Sequence, residues 1–211
     1  GALARGGPAV EVLSDYVELT KPRVQSLLLF TTVTTMLVAG HPSIELILLT
    51  CLGGYLSAGG AGAVNHFYDR DIDARMARTA NRPVPSGRVA PRAALIFGLV
   101  LAALAVLELS IFVNPLAAAL SFSGFLGYTL VYTLWLKRTT PQNIVIGGAA
   151  GAVPPPVGWG PGTGGLDRPA PYLFSIVFFL APPPFWALSL LMKGRLPRGW
   201  APRVPVGRGA R

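Results

Sequence analysis

The sequence predicts an all-α integral membrane protein, a bundle of about six transmembrane helices. Of its 211 residues, 52% are hydrophobic and only 13% are charged, whereas a soluble domain carries about 25% charged residues. The apolar residues form long runs that short charged or Pro/Gly-rich loops separate, and this pattern is typical of membrane spans. Because lipid offers no water to unpaired backbone groups, every span is expected to be helical.

Six apolar runs are long enough to be spans. They cover residues 24–40, 44–64, 93–112, 115–135, 143–160 and 172–192. Very short turns join the first span to the second and the third to the fourth, so each of these pairs is expected to be antiparallel. Proline triplets at 154–156 and 182–184 are expected to break or kink the last two spans, because proline removes a backbone donor.

The distribution of charge predicts the topology. Cations gather before the first span, in the loop after the second and in the loop after the fourth, whereas the alternate loops carry almost none. By the positive-inside rule, the N-terminus and the loop 65–92 lie in the cytoplasm, and we expect the membrane to be a bacterial plasma membrane. The rule also accounts for the net charge of +9, so no nucleic-acid partner is expected.

Three polar side chains recur at four-residue steps at the inner end of the second span. They are Asn65, Asp69 and Asp73, which on one helix would share a face, with neighbouring Cβ atoms about 5–6 Å apart. Mg²⁺ prefers one or two carboxylates together with phosphate oxygens of a substrate, and the arginines that follow can bind further phosphate oxygens. The pattern therefore predicts a site for Mg²⁺ and a lipid-like diphosphate at the inner membrane face.

Two other interpretations of this motif remain open on the residues alone. The carboxylates could belong to a solvated helix end and pair with Arg70, Arg75 and Arg78. They could also serve an ion pathway, although such a pathway would be expected to place its acids within the membrane.

Further motifs resemble those of the UbiA-type intramembrane prenyltransferases, and within that family those of its heme farnesyltransferase branch. The resemblance extends from Asp15 to about Gly194. Besides the Asn/Asp motif, the matching stretches are Leu19-Thr20-Lys21-Pro22-Arg23, Asn81-Arg82-Pro83 with Ser86-Gly87, 128–138, and Thr140-Pro141-Gln142-Asn143-Ile144-Val145-Ile146-Gly147-Gly148. The last of these stretches is specific to the heme branch.

The resemblance implies a bundle of nine spans around a membrane-buried chamber. It implies an enzyme that transfers the farnesyl group of farnesyl diphosphate to a vinyl group of heme B, adding a hydroxyl and releasing diphosphate, to give heme O. Heme A synthase is then an expected partner, since it would act on the product. A related prenyltransferase for quinone-type aromatic acids is the alternative within the family, and an inactive membrane fragment is the alternative outside enzymes.

Carried onto this chain, the resemblance assigns roles to individual residues. Asn65, Asp69 and Asp73 would hold Mg²⁺, with Asp71 as a helper. The residues that would bind the diphosphate are Arg82, Lys137 and Arg138, followed with weaker support by Lys21 and Arg23. The aromatic side chains that could stabilise a carbocation through their ring faces are Phe67, Tyr68, Tyr128 and Tyr132.

The chain departs from the family pattern after Gly194. Residues 195–211 contain five Arg, three Pro and three Gly and no acid, where the family has a second aspartate-rich motif and three more spans. We expect residues 1–194 to form an incomplete prenyltransferase domain and residues 195–211 to be a truncated or frameshifted end. A basic tail that contacts anionic lipid headgroups is the alternative.

Overall fold

A computed structural model describes residues 8–77, 79–136, 152–163 and 169–180. Within these ranges every regular element is a helix and no strand is present. The all-α class predicted from the sequence is confirmed.

The helices follow one another with short connections. The α-helices are α1 Pro8–Leu19, α2 Pro22–Ala39, α3 Ile44–Tyr68, α4 Arg70–Ala74, α5 Pro91–Glu108, α6 Pro115–Leu126, α7 Pro154–Thr163 and α8 Pro169–Leu180, and π-helical segments continue α5 over Leu109–Val113 and α6 over Gly127–Leu136. Helix α3 lies at the centre, because it packs against α2, α5, α6 and α7.

The surface of the bundle is apolar and much of its interior is polar. Among the described residues, two helices are long and apolar enough to cross a membrane, Ile44–Tyr68 and Pro91–Val113. Large apolar side chains such as Phe30 and Ile111 are about 70% exposed, whereas polar side chains such as Thr50, Asn65 and Asp69 are buried. This is the reverse of a soluble protein and fits helices that face lipid.

The first four predicted spans coincide with helices, and each terminus differs by at most four residues. Proline occupies the start of α2, α5 and α6, where its missing N–H costs nothing. Side-chain oxygens cap the N-termini of α3 and α6: Ser43 accepts from the Leu46 amide at 3.1 Å and Asn114 from the Ala117 amide at 2.7 Å. These local signals explain why the spans could be located from sequence.

The fifth and sixth spans are described only in part. The proline triplet 154–156 begins α7, because the first turn of a helix tolerates residues without a backbone donor. That the triplet breaks the fifth span stays a prediction, since the part of the span before residue 152 is not described. The helix of the sixth span, α8, begins at Pro169, three residues before its predicted start. Residues 143–151 and 181–192, with the second proline triplet, lie outside the described residues.

Glycines bring α3 and α5 into backbone contact. A Cβ atom at Gly60 would lie 2.6 Å from the carbonyl oxygen of Gly98 and 3.2 Å from the Ala102 amide, and a Cβ at Gly98 would lie 2.7 Å from the Gly60 oxygen. Small residues at such crossings let membrane helices approach closely, and van der Waals packing then stabilises the pair. Gly60, in the glycine-rich stretch 53–62, therefore lets α3 pack closely against α5.

We expect Gly60→Ala to destabilise the bundle, because the added methyl group must separate two backbones. Overpacking of this kind costs about 1–3 kcal/mol, to be measured as a lower midpoint of thermal unfolding in detergent. Gly54→Ala is the matched control, since a Cβ there meets only the Leu29 side chain at 3.6 Å and alanine favours the helix by up to about 1 kcal/mol. Equal midpoints for the two variants would contradict the close contact.

Candidate functional site

The α3–α4 junction carries the three motif side chains. Helix α3 ends at Tyr68, yet the Asp69 amide donates to the Asn65 carbonyl at 2.9 Å and the Asp73 amide to the Asp69 carbonyl at 2.8 Å. Because the helical hydrogen-bond spacing continues across the junction, Asn65, Asp69 and Asp73 keep a common face. None of the three is more than 5% exposed, so the motif is not a solvated helix end.

The Asn65 carboxamide links the motif to two other parts of the chain. Its Oδ1 accepts a hydrogen bond from Lys21 Nζ at 2.5 Å, and its Nδ2 donates to Asp69 Oδ2 at 2.6 Å. The same Nδ2 lies 3.4 Å from Thr133 Oγ1 in the π-helical end of α6. The amide therefore joins an ammonium group and a carboxylate through its two polar ends.

Asp73 is held by the loop that follows α4. Arg82 Nη1 forms a salt bridge with Asp73 Oδ2 at 2.7 Å, and the Thr79 hydroxyl donates to the Asp73 carbonyl at 2.9 Å. Arg70, one of the arginines considered as a partner of the motif, instead places its guanidinium 4.5 Å above the Phe67 ring and donates to the Phe67 carbonyl. Arg78 lies outside the described residues.

Lys21 adds a second cation to the site from the turn before α2. Burial of its ammonium group and the nearby positive charge of Arg82 lower the pKa of Lys21 to about 8, while Asp69 and Asp73 oppose the shift. A group with this pKa is still largely protonated at neutral pH. Two cations thus face two buried carboxylates.

The other predicted site residues are less central. Asp71 and Arg23 are exposed, whereas Asn65, Asp69 and Asp73 are buried. Lys137 and Arg138 lie outside the described residues, as does the side chain of Tyr132, and their predicted roles stay predictions.

The aromatic residues lie beside the motif but have packing partners. The rings of Phe67 and Tyr68 meet edge to face at 5.0 Å. Tyr68 and Tyr128 also pack against an apolar cluster of α3, α5 and α6. Part of their surface is thus used for packing, as is common for aromatic side chains in a helical bundle.

Sequence reasoning missed several residues that support the site. They are Tyr55, Gln25, Thr79 and Thr133. Thr133 could not have been found from spacing, because it reaches Asn65 from a π-helical segment 68 residues away. Gln25 did give a signal, since a glutamine one turn inside an apolar span needs a hydrogen-bond partner.

The donor set suits a hard cation that also binds an anionic ligand. Among the described ranges, no group of three His, Cys, Asp or Glu residues could hold a metal alone. Two carboxylates and one carboxamide oxygen supply only part of an octahedral shell, and Mg²⁺ completes such a shell with water and substrate phosphate. Lys21 and Arg82 stand where they could bind the same anion.

We expect Asp73→Asn to destabilise the metal-free protein, because Arg82 would lose its charged partner. Loss of a buried charge-assisted hydrogen bond costs about 1–3 kcal/mol. The loss is measured as a decrease in the free energy of unfolding of the protein in detergent that contains a chelator. Glu45→Gln, at the exposed opposite end of α3, is the control and should stay within about 0.5 kcal/mol. An equal or larger loss for Glu45→Gln would contradict this assignment.

Comparison with known proteins agrees with this geometry. The sequence profile of the UbiA prenyltransferase family matches residues 28–195. The chain is 52% identical over 200 residues to the protoheme IX farnesyltransferase of Chloroflexus aurantiacus, covering 94% of this chain and 34% of that protein. It is also 52% identical over 203 residues to the protoheme IX farnesyltransferase of Symbiobacterium thermophilum, covering 95% and 68% respectively.

A solved structure shares the fold. The UbiA homolog from Archaeoglobus fulgidus, bound to GPP and Mg²⁺, superposes with a TM-score of 0.68 at 18% identity and covers 90% of this chain and 67% of that one. The chain spans only about a third of the Chloroflexus protein and 63% of a protoheme IX farnesyltransferase from Picosynechococcus. The motifs, the all-helical fold and the family match over most of the sequence lead to one conclusion: this chain belongs to the UbiA prenyltransferase family.

Proposed function

We propose that the chain transfers the farnesyl group of farnesyl diphosphate to a vinyl group of heme B, giving heme O. The observation that carries this proposal is the buried cluster in which Lys21 contacts Asn65, Asn65 contacts Asp69, and Arg82 contacts Asp73. The relatives named protoheme IX farnesyltransferase, at about half identity over nearly the whole chain, support heme as the acceptor.

Mg²⁺ is the proposed cofactor, and the neighbour solved with GPP and Mg²⁺ supports it. Asn65, Asp69 and Asp73 would hold the ion, and Mg²⁺ supplies electrophilic stabilisation of a departing diphosphate. Asp71 is proposed to assist from outside the buried face.

Lys21 and Arg82 are proposed to neutralise the leaving group. When the bond between farnesyl C1 and the diphosphate oxygen breaks, negative charge builds up on the diphosphate, and fixed cations stabilise that charge. Lys137 and Arg138 are proposed to act on the same group, with Arg23 as a weaker participant. The new carbon–carbon bond forms at the vinyl terminus, water adds at the neighbouring carbon, and one proton leaves.

The interior of the bundle would keep bulk water from the allylic cation until that bond forms. The residues around the motif are closely packed, with Ala63, Val64 and His66 at most 3% exposed. Exclusion of water prevents early hydrolysis of a reactive intermediate.

The cellular setting completes the proposal. We place the chain in a bacterial plasma membrane with the motif loop on the cytoplasmic side, as the charge distribution predicts. Heme A synthase is the proposed partner that consumes the product. Residues 1–194 are proposed as the prenyltransferase domain, and the predicted nature of residues 195–211 stays a prediction.

The direct test is product formation by membranes that contain the chain. With heme B, farnesyl diphosphate and Mg²⁺, we expect heme O, identified by mass spectrometry. Asp69→Asn should lower its formation by about 10- to 100-fold through weaker metal binding, and Asp71→Asn should cost less. Glu45→Gln, at the opposite end of α3, should leave the rate unchanged.

Acceptor choice separates the proposal from its alternatives. Prenylation of 4-hydroxybenzoate but not of heme B would identify the quinone-type activity. Absence of any prenylated product from membranes that bind farnesyl diphosphate would identify an inactive fragment.

The contacts also predict that metal and diphosphate bind together. Lys21 holds Asn65 Oδ1 and Arg82 holds Asp73 Oδ2, so two of the three proposed metal ligands already contact a cation. Diphosphate would attract Lys21 and Arg82 to its own oxygens and thereby release the motif for the metal. We expect inorganic diphosphate to lower the Kd of Mn²⁺ by roughly 5- to 150-fold, the usual range for two coupled binding sites. Electron paramagnetic resonance measures this Kd.

Lys21→Met should reduce this coupling. The variant removes the ammonium group that competes with the metal for Asn65 Oδ1, and it also removes one cation that would bind the diphosphate. The difference in Mn²⁺ affinity with and without diphosphate should therefore be smaller. The same Mn²⁺ affinity in the presence and absence of diphosphate would contradict the shared-ligand arrangement.

A further inference from the structure

Lys21 has an unusual backbone conformation for a residue of its type. Its φ of 56° and ψ of 61° are left-handed, and no other non-glycine residue in the described ranges has a positive φ. This conformation is unfavourable for a side chain with a Cβ atom. Such residues persist where surrounding contacts hold them, and they cluster at functional sites.

The residue before Lys21 makes the contacts that hold this turn. The Thr20 hydroxyl donates to the Val17 carbonyl at 2.7 Å and lies 2.8 Å from the Tyr55 hydroxyl. The Thr20 carbonyl accepts from Gln25 Nε2 at 2.9 Å. Thr20 and Gln25 are 4% and 3% exposed, so these hydrogen bonds do not compete with water.

Two glycines of α3 let the turn approach the helix backbone. A Cβ at Gly62 would lie 2.9 Å from the Leu19 carbonyl oxygen, and one at Gly59 would lie 3.2 Å from Thr20 Cβ. Gly62 is three residues before Asn65. The turn is thus anchored on the same helix that carries the first motif residue.

We propose that Tyr55 and Gln25 are positioning residues that act through Thr20 to fix the Lys21 ammonium in the diphosphate site. Tyr55 holds the side chain of Thr20 and Gln25 holds its carbonyl, so the backbone that leads into Lys21 is restrained from both α3 and α2. The restrained turn directs Lys21 Nζ onto Asn65 Oδ1 at 2.5 Å. The inference rests on the diphosphate site of the proposed function and not on heme as the acceptor.

A double-mutant cycle tests this inference. The 211-residue chain in lipid nanodiscs is titrated with farnesyl diphosphate and Mg²⁺ by calorimetry, without heme. Loss of one hydrogen bond in Tyr55→Phe or Gln25→Met should weaken binding by about three- to tenfold each. The Lys21→Met variant itself should bind farnesyl diphosphate more weakly. When either substitution is added to this variant, the Kd for farnesyl diphosphate should change by less than about twofold, because the effect of both residues passes through Lys21.

Two controls separate positioning from general destabilisation. Tyr172→Phe alters a tyrosine that is 70% exposed and should leave the Kd unchanged. Thermal unfolding of each variant is measured alongside, and a loss of stability alone would act equally in both backgrounds. Equal losses of affinity with and without Lys21 would therefore overturn the inference, as would an unchanged Kd in both Tyr55→Phe and Gln25→Met.

The outcomes also separate this inference from the proposed function. If the wild-type chain binds farnesyl diphosphate and the substitutions depend on Lys21, but no heme O forms, heme is refuted as the acceptor and the positioning role is supported. If heme O forms but the effects of the substitutions are independent of Lys21, only the positioning role is refuted. A wild-type chain that does not bind farnesyl diphosphate would overturn both.

Discussion

The small size of the glycines of α3 is the constraint on which the rest of the structure depends. Gly60 admits the backbone of α5, and Gly59 and Gly62 admit the turn before α2. Gly53 lies against the Glu108 and Leu109 side chains. Because association in lipid relies on close packing rather than on a hydrophobic force, these glycines decide which elements surround the inner end of α3.

That close packing makes a buried charged cluster stable. Asp69 and Asp73 would each pay a large desolvation penalty alone, and the contacts supply compensation from Lys21 through Asn65 and from Arg82 directly. A buried ion pair often does little more than offset that penalty. The cluster is therefore better explained by its chemistry than by a contribution to stability.

Local chemistry made part of this arrangement predictable. Apolar length located the first four spans, and the four-residue spacing of Asn65, Asp69 and Asp73 located the motif face. The family resemblance selected Arg82 among the arginines of the same loop, but its salt bridge with Asp73 could not be predicted, because that contact depends on how the loop after α4 folds over Asp73. Nor could it predict that α6 turns π-helical and brings Thr133 to Asn65, since such a segment depends on tertiary packing.

The two cations enter the site from distant parts of the sequence but share one support. Lys21 lies 44 residues before Asn65, and Arg82 lies nine residues after Asp73. The turn that carries Lys21 rests on α3, and Arg82 binds the short helix that continues α3. Their separation is thus fixed by one nearly continuous helix. In the proposed reaction, charges held in this way would need little reorganisation when the diphosphate leaves, and such preorganisation is the main source of electrostatic catalysis.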